Sequence, residues 1–387
     1  MFDLIDDWGP EKVVLVSDTK TGMQGVLVID NSARGMGKGG TRMQPNVSVQ
    51  EVARLARTMT WKWAAADLFY GGAKAGIKFD PTSADKEAVL RSFVKALRNE
   101  VPREYVFGLD MGLTENDAAI INDELGDRGA AVGTPAELGG VAYDRLGVTG
   151  FGVAEAADQA ATDVALPGKR VVIQGFGAVG HAAAKRFDEL GYTVVGLSTA
   201  VGSIHAPDGL DIDRLLAQRA ELGDQLVDEY LPQRIAPGSE LFLDCDILVP
   251  AALQDVLTKD NAGDVRARLV TEGANLPSSD GARARLRAQG TAVVPDFIAN
   301  AGGIVAAAYA MEGRYSAFRP DTAPIMATVS EKIRSNTSTV LGQARLRDTT
   351  THEAAFAMAR DRVRAAMDLR GARLGGAQPR ERVNIKL

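Results

Sequence analysis

The chain has 387 residues, 45% hydrophobic and 24% charged, the make-up of a soluble globular protein with two domains, whose dividing cleft is the first place to expect a ligand. Lys and Arg total 44 against 50 Asp and Glu, a net charge of −6, so nucleic acid is not expected as a partner. One cysteine and three histidines offer no disulfide and no ready zinc site, so no metal is expected. The acidic start and the shortness of the apolar run Ala301 to Met311 argue against a signal or membrane span and point to the cytoplasm.

In chain order, Val13 to Ser17 and Gly25 to Asp30 read as strands. Ser48-Val49-Gln50-Glu51 is a capping box, and Val52, Leu55, Ala56, Met59 and Trp63 follow it at helical spacing as one apolar stripe. A second helix is predicted from Ser83 to about Asn99, with Val89, Phe93, Val94 and Leu97 on its buried face.

Three lysines stand out in this first part. Lys38, with its neighbour Gly39, and Lys74, between Gly72 and Gly76, lie among glycines, as expected where the backbone must come close to a ligand. Lys62 follows Met59 by three positions and so lies at the edge of the buried stripe. Several lysines converging on one cleft form an anion site, and mutual repulsion with burial lowers their pKa, so that one can act as a base. Lys74 is the best candidate for that role. Asp110, in the apolar, glycine-rich stretch Phe107 to Gly112, is the candidate proton shuttle, whereas Asp117 and Asp123 read as solvated charges.

From about Gly147 the pattern alternates between helices and short β-branched strands, which predicts a parallel, doubly wound sheet. Thr149 to Thr162 reads as a helix, Arg170 to Gln174 as a strand, Ala178 to Leu190 as a helix and Thr193 to Leu197 as the next strand. Further strands are expected at Ile247 to Val249, Leu269 to Val270 and Ala292 to Val294. Gly175-Phe176-Gly177-Ala178-Val179-Gly180 lies between the first of these strands and its helix, the setting in which GxGxxG holds a dinucleotide pyrophosphate. The second strand leads into Ser198-Thr199-Ala200, without the carboxylate that selects NAD or an arginine for NADP, so both cofactors stay open; His205 reads as a solvated loop residue, with a phosphate contact as the alternative if the loop folds back. After Asn300 the chain is helical.

At these residues the sequence resembles the glutamate/leucine/phenylalanine/valine dehydrogenase family, closest to its glutamate dehydrogenases. The stretch Met59-Thr-Trp-Lys62 through Tyr70-Gly-Gly-Ala-Lys74-Ala-Gly-Ile77 resembles the family signature, with Ala75 where a glycine is usual. Similar segments recur at Thr149-Gly-Phe-Gly152, Pro207-Asp-Gly-Leu210, Pro250-Ala-Ala252, Glu272-Gly-Ala-Asn275 and Asn300-Ala-Gly-Gly303.

The resemblance implies an α/β substrate-binding and oligomerisation domain at 1–146, a Rossmann-type NAD(P) domain at 147–335 and a helical C-terminal segment at 336–387 packing back on the first domain. It also implies a homo-oligomer, hexamer favoured, and reversible oxidative deamination of an L-amino acid to a 2-oxo acid and ammonium with NAD or NADP. Lys62 would then hold the α-carboxylate, Lys74 activate water and Asp110 exchange protons with the amino group. Gly175, Gly177 and Gly180 would hold the pyrophosphate, with Thr149 and Asn300 near the nicotinamide and Thr199 and Asn275 also on the cofactor side. Lys38 would meet the side-chain carboxylate of glutamate. Ala307 stands where glutamate-specific members carry a serine, which leaves leucine, valine or phenylalanine as the alternative substrate. A non-catalytic NAD(P) sensor or partner subunit is the reading from another class.

Overall fold

The computed structural model describes residues 2–141 and 146–370. The chain divides into two compact units, one of residues 1–140, 314–317 and 359 onward, the other of residues 141–313 and 318–358.

The first unit is built on strands β1 (Lys12–Asp18), β2 (Met23–Asn31), β3 (Gly37–Met43), β4 (Gly71–Ile77) and β5 (Tyr105–Leu109), with helices α1 (Val49–Ala65), α2 (Lys86–Ala96) and α3 (Glu115–Leu125). The strands run in the order β1-β2-β4-β3-β5; β1, β2 and β4 pair antiparallel, and β3 pairs parallel with both β4 and β5. Side chains alternate across such a sheet. Ala73, Ala75 and Ile77 therefore point into a core with Val89, Leu90, Phe93 and Tyr105, while Val26 and Val28 of β2 pack with Val52 and Ala56 of α1.

Ser48 caps α1 by accepting the amide of Glu51, as the capping box requires. The buried face of α1 is turned slightly from the expected stripe: Val52, Ala56, Thr60 and Trp63 are buried, and Leu55 and Met59 only half so. The cause is β4. Its Gly72 fits against Thr60, and its Gly76 against Val52 and Val47 at 2.6 and 2.8 Å from where a Cβ would stand. Helix α2 is shorter at both ends than the sequence pattern predicts, because turns occupy its flanks.

The second unit holds a seven-stranded sheet of β6 (Arg170–Gln174), β7 (Thr193–Thr199), β8 (Gly202–His205), β9 (Arg234–Ile235), β10 (Ile247–Pro250), β11 (Leu269–Thr271) and β12 (Ala292–Val294). Its order is β12-β11-β10-β6-β7-β8-β9; the first five run parallel and the last two are antiparallel additions. Helices α4 (Val148–Asp163), α5 (Ala178–Glu189), α6 (Ile212–Leu222), α7 (Asp280–Ala288), α8 (Asp296–Ala299), α9 (Gly302–Gly313), α10 (Thr322–Arg347) and α11 (Thr351–Leu369) complete the chain. Strand order reverses between β10 and β6, the switch point at which doubly wound sheets bind ligands.

Helix α10 runs unbroken through residue 335, where the sequence reading ends the nucleotide domain. It stays with the second unit because Val329 and Ile333 pack on Gly152 of α4, and because Arg334 and Ser330 bond the buried carboxylate of Glu155. Only from Ala359 does the C-terminal helix count with the first unit, where Arg362 donates to the carbonyls of Ala64 and Ala65, both at 2.9 Å, and so caps the end of α1. The final part of the expected tail, 371–387, lies outside the described residues.

Candidate active site

Strands β3 and β4, with the sequences GKGGTRM and GGAKAGI, form the floor of the lysine site. Lys38, Gly40 and Arg42 of β3 alternate onto the sheet face that carries Gly72, Lys74 and Gly76 of β4; α1 covers β2 and β4 on that face. Gly40 leaves space for an ammonium, since a Cβ there would stand 3.2 Å from Lys74 Nζ and 2.9 Å from Asp110 Cβ. Gly108 does the same for Lys38, at 2.7 Å from its Nζ. Gly72 and Gly76, which flank Lys74, serve the packing of α1 instead, so the glycine density around Lys74 has a structural cause as well as a functional one.

Lys74 is 8% exposed, and its Nζ lies 2.6 Å from Asp110 Oδ2. Burial pushes the Lys74 ammonium below its ordinary pKa, Asp110 opposes that fall and Arg42 adds to it. Burial favours the neutral acid at Asp110, yet Lys74 outweighs it and holds the carboxyl below the usual range. The same Asp110 oxygen accepts from Arg42 Nε at 3.3 Å, and Arg42 Nη1 is anchored by Glu51 at 2.6 Å. Asp110 follows directly on β5 and is thus held at the strand's end.

Lys38 is 3% exposed and donates to the carbonyls of Val106 and Phe107 at 3.1 and 2.9 Å. Burial, with Lys74 and Arg314 nearby, lowers its pKa to about 7. Its own carbonyl accepts from the Trp63 indole at 3.0 Å, and Tyr105 donates to the carbonyl of Gly39 at 3.0 Å, so the segment is fixed on both sides. Lys62 lies half-buried in the last turn of α1.

Asp117 is not a solvated charge. It is 4% exposed, closes the capping box of α3 on Thr114 and pairs with Lys86 at 2.7 Å, because the chain turns sharply after Asp110 and buries the helix start. Asp123 is exposed and paired with Arg91.

In the second unit the three glycines of the fingerprint have separate structural settings. Gly175 adopts φ +88°, the left-handed conformation that a tight turn needs, and a Cβ there would meet Ala252 at 2.7 Å. Gly180 lies against the Gly175 carbonyl and Ile173, so only a hydrogen permits that helix-to-strand contact. At Gly177 a Cβ would meet nothing within 4 Å among the described residues beyond its chain neighbours, so that space is open to a ligand, and Gly177 is the N-cap of α5, where helix amides are left without helical partners. Phe176 is buried, while Ala178 and Val179 begin the helix.

The end of β7 differs from the sequence expectation. Ser198 Oγ accepts the Gly175 amide at 3.0 Å, and Thr199 donates to the Asp224 carbonyl at 2.8 Å, with the Asp224 carboxylate paired to Arg219. His205 sits in β8 opposite Gly196, half-buried, where burial and Arg170 lower its pKa; it is not a solvated loop residue. Thr149 and Gly303 face each other at the starts of α4 and α9, 3.2 Å from the hydroxyl to a Cβ position. Asn300 donates to Asn275 Oδ1 at 3.1 Å, which brings two expected cofactor residues into one pair. Ala307 lies half-buried on α9.

The sequence pattern assigns no role to Arg42, Ser198 or Asp224, which the structure engages with Asp110, Gly175 and Thr199 respectively. The first was within reach: read as a strand, GKGGTRM places Arg42 on the face of Lys38 by parity alone.

A two-unit protein with a Rossmann-type sheet and a buried Lys–Asp pair beside a second buried lysine has the parts of a dinucleotide-dependent enzyme acting on a small anion. Residues 139–371 match the model of the glutamate/leucine/phenylalanine/valine dehydrogenases, and residues 10–127 match the dimerisation domain of the same enzymes. The chain belongs to this family of amino-acid dehydrogenases. It is 38% identical over 316 residues to an NADP-specific glutamate dehydrogenase of Saccharolobus shibatae, covering 76% of this chain and 74% of that protein. It is 39% identical over 287 residues to an NAD-specific glutamate dehydrogenase of Staphylococcus aureus, covering 71% and 68%. Among solved structures it is similar to the hetero-hexameric glutamate dehydrogenase of Thermus thermophilus in a Leu bound form, at 31% identity, TM-score 0.79 and 94% and 91% coverage. The glutamate dehydrogenase of Peptoniphilus asaccharolyticus matches at 27% identity, TM-score 0.82 and 94% and 92% coverage. No helix among the described residues is long and apolar enough to cross a membrane.

Proposed function

We propose that the protein is an NAD(P)-dependent glutamate dehydrogenase, converting L-glutamate and water reversibly to 2-oxoglutarate and ammonium. The observation that carries the choice of glutamate is Lys38. An ammonium held at 3% exposure over two carbonyls is costly to bury, and a substrate carboxylate would repay that cost where an aliphatic side chain would not. The names of the relatives support the same substrate and both cofactors.

In this reading Lys62 holds the α-carboxylate and Lys38, with Gly39 beside it, the side-chain carboxylate, while Ala307 lines the pocket without a hydroxyl. The cofactor supplies the hydride acceptor when bound. Its pyrophosphate fits the open space at Gly177, with Gly175, Phe176, Ala178, Val179 and Gly180 shaping the turn, Thr149, Asn275 and Asn300 toward the nicotinamide and Thr199 toward the adenosine. Asp110 takes a proton from the substrate ammonium, so that the nitrogen lone pair can form the iminium. Lys74, made less basic by burial, deprotonates the water that attacks the iminium carbon, and Asp110 returns a proton to the departing nitrogen.

We infer that the chain works as a homo-oligomer, hexamer favoured, in the cytoplasm, where its one cysteine, buried Cys245, stays reduced. Initial rates with glutamate, leucine, valine and phenylalanine, each with NAD and NADP, test the function. Turnover of leucine, valine or phenylalanine above glutamate overturns the substrate, and cofactor binding without turnover of any of them overturns the enzyme.

A further inference from the structure

Glu272, Asp296 and His352 are buried to 0%, 4% and 4% exposure, with ligand-type atoms all within 4.8 Å of one another, far from the lysine site in sequence and without a part in the chemistry above. They come from three segments: the end of β11, the first residue of α8 and the first turn of α11. His352 Nε2 meets Glu272 Oε2 at 2.8 Å, and the same oxygen accepts the amide of Asp296 at 3.0 Å. Asp296 in turn accepts the amides of Leu276 and Phe297, both at 2.8 Å. These bonds tie the three segments together as a strut.

The strut ends on the two asparagines. Leu276, pinned by Asp296, has φ +52°, a left-handed conformation that a leucine holds only under constraint, and it follows Asn275 directly. Asn300 closes α8, with its amide on the Asp296 carbonyl at 2.8 Å, and its side chain reaches Asn275 Oδ1 and the Gly273 carbonyl. The bonds that Asp296 makes to the Asn275–Leu276 bend and at the start of α8 thus lead back to one carboxylate, Glu272, and His352 is its side-chain partner. His352 holds it through one nitrogen; Nδ1 has no hydrogen-bond partner among the described residues. Although burial favours a neutral acid, His352 keeps the Glu272 carboxyl below its usual range, so the oxygen accepts as a carboxylate, and bonds to a charged acceptor are the stronger kind.

We propose that His352 is a positioning residue for the cofactor: by fixing Glu272 it sets, through Asp296, the Asn275–Asn300 pair that faces the nicotinamide. The proposal rests on the assignment of those two asparagines to the cofactor.

The test compares His352→Leu, His352→Gln, Glu272→Gln and Asn300→Ala in the full-length protein. It reads NADH and NADPH dissociation constants by fluorescence titration, KM for cofactor and for amino acid, and thermal midpoint. His352→Leu is expected to weaken cofactor binding about tenfold or more, with the amino-acid KM within about twofold, because the lysine site is built from other elements. His352→Gln, whose amide can donate from the same place, is expected to restore most of the loss. Glu272→Gln keeps the shape but not the charge and is expected to fall between; it also serves if His352→Leu does not fold. The proposal is overturned if the histidine and Glu272 variants bind cofactor as the parent does while Asn300→Ala does not. It is equally overturned if both KM values rise together with a fall in thermal midpoint, the mark of a structural role. If Asn300→Ala itself binds cofactor normally, the asparagine assignment has failed and the proposal falls with it, whatever the His352 variants do.

Discussion

Replacing Lys74 by alanine separates the catalytic reading from a structural one. The ammonium is 8% exposed and sits 2.6 Å from Asp110, so its removal takes away both the base and the partner of a half-buried carboxylate. Orphaning a buried charge costs about 3–5 kcal/mol. Here Arg42 remains on the same oxygen at 3.3 Å, itself anchored by Glu51, so the carboxylate keeps a cation and the folding cost should stay near ~1–3 kcal/mol. The rate is another matter. A positioned base is worth about 10²–10⁴-fold, or roughly 3–5 kcal/mol of barrier, and Lys74 Nζ is the group placed at 2.6 Å from the Asp110 oxygen. The fingerprint glycines lie in the other unit, so cofactor binding should be within about twofold of the parent. Steady-state rates, NADH and NADPH titrations and thermal melts check the three figures. A kcat within tenfold of the parent would refute the role given to Lys74, and a cofactor dissociation constant that rises in step with the loss of rate would refute the separation of the two sites.

Asp110→Asn removes the charge that holds the Lys74 pKa up, so Lys74 loses its proton more readily, and the ascending limb of kcat/KM in the residual activity should move to lower pH. An unmoved limb means that Lys74 does not set it. Lys38→Met removes a lysine whose pKa is about 7 when folded and near 10.5 when free. The unfolded chain therefore binds the extra proton between these values, and parent stability from this group rises with pH across that window. The variant should be the more stable below pH 7, with the advantage shrinking toward pH 10 in denaturant titrations; a pH-independent difference contradicts the assigned burial. Gly177→Val and Gly180→Val form a contrasting pair. The Cβ of the first meets nothing within 4 Å among the described residues beyond its chain neighbours, so this variant should melt as the parent does yet bind NADH at least about tenfold more weakly, whereas the Cβ of the second overlaps the Gly175 carbonyl and this variant should lose stability first. Equal melting of the two rejects the packing role of Gly180.

Reading the sequence worked best where a local pattern is also the physical cause. The capping box starts α1 because Ser48 and the Glu51 amide are neighbours, and β6, the GxGxxG turn and α5 follow one another because turn geometry and hydrophobic period are local properties. Strands β3 and β4 carry no such signal. Glycine is a poor strand former, and what makes GKGGTRM and GGAKAGI extended is ladder pairing with β5 and β2 and the close seat of α1 on Gly72 and Gly76. Asp117 and His205 differ from their expected solvated settings because burial of a polar side chain depends on pairing that its own segment does not show: Asp117 meets Lys86, 31 residues away, and His205 pairs with Gly196 across the β7–β8 hairpin.

The sequence by itself determined the family, the two-part plan and the identity of Lys38, Lys62, Lys74 and Asp110 as the residues to watch, because motif and spacing are one-dimensional quantities. Tertiary structure decided which of them meet and in what state. Only pairing of β3 between β4 and β5 brings Lys38, Lys74 and Asp110 onto one face, and burial there, with neighbouring cations adding to it, lowers the pKa of both lysines. Pairing distance and burial depend on residues far apart in the chain, and they became legible only when the sheet was formed.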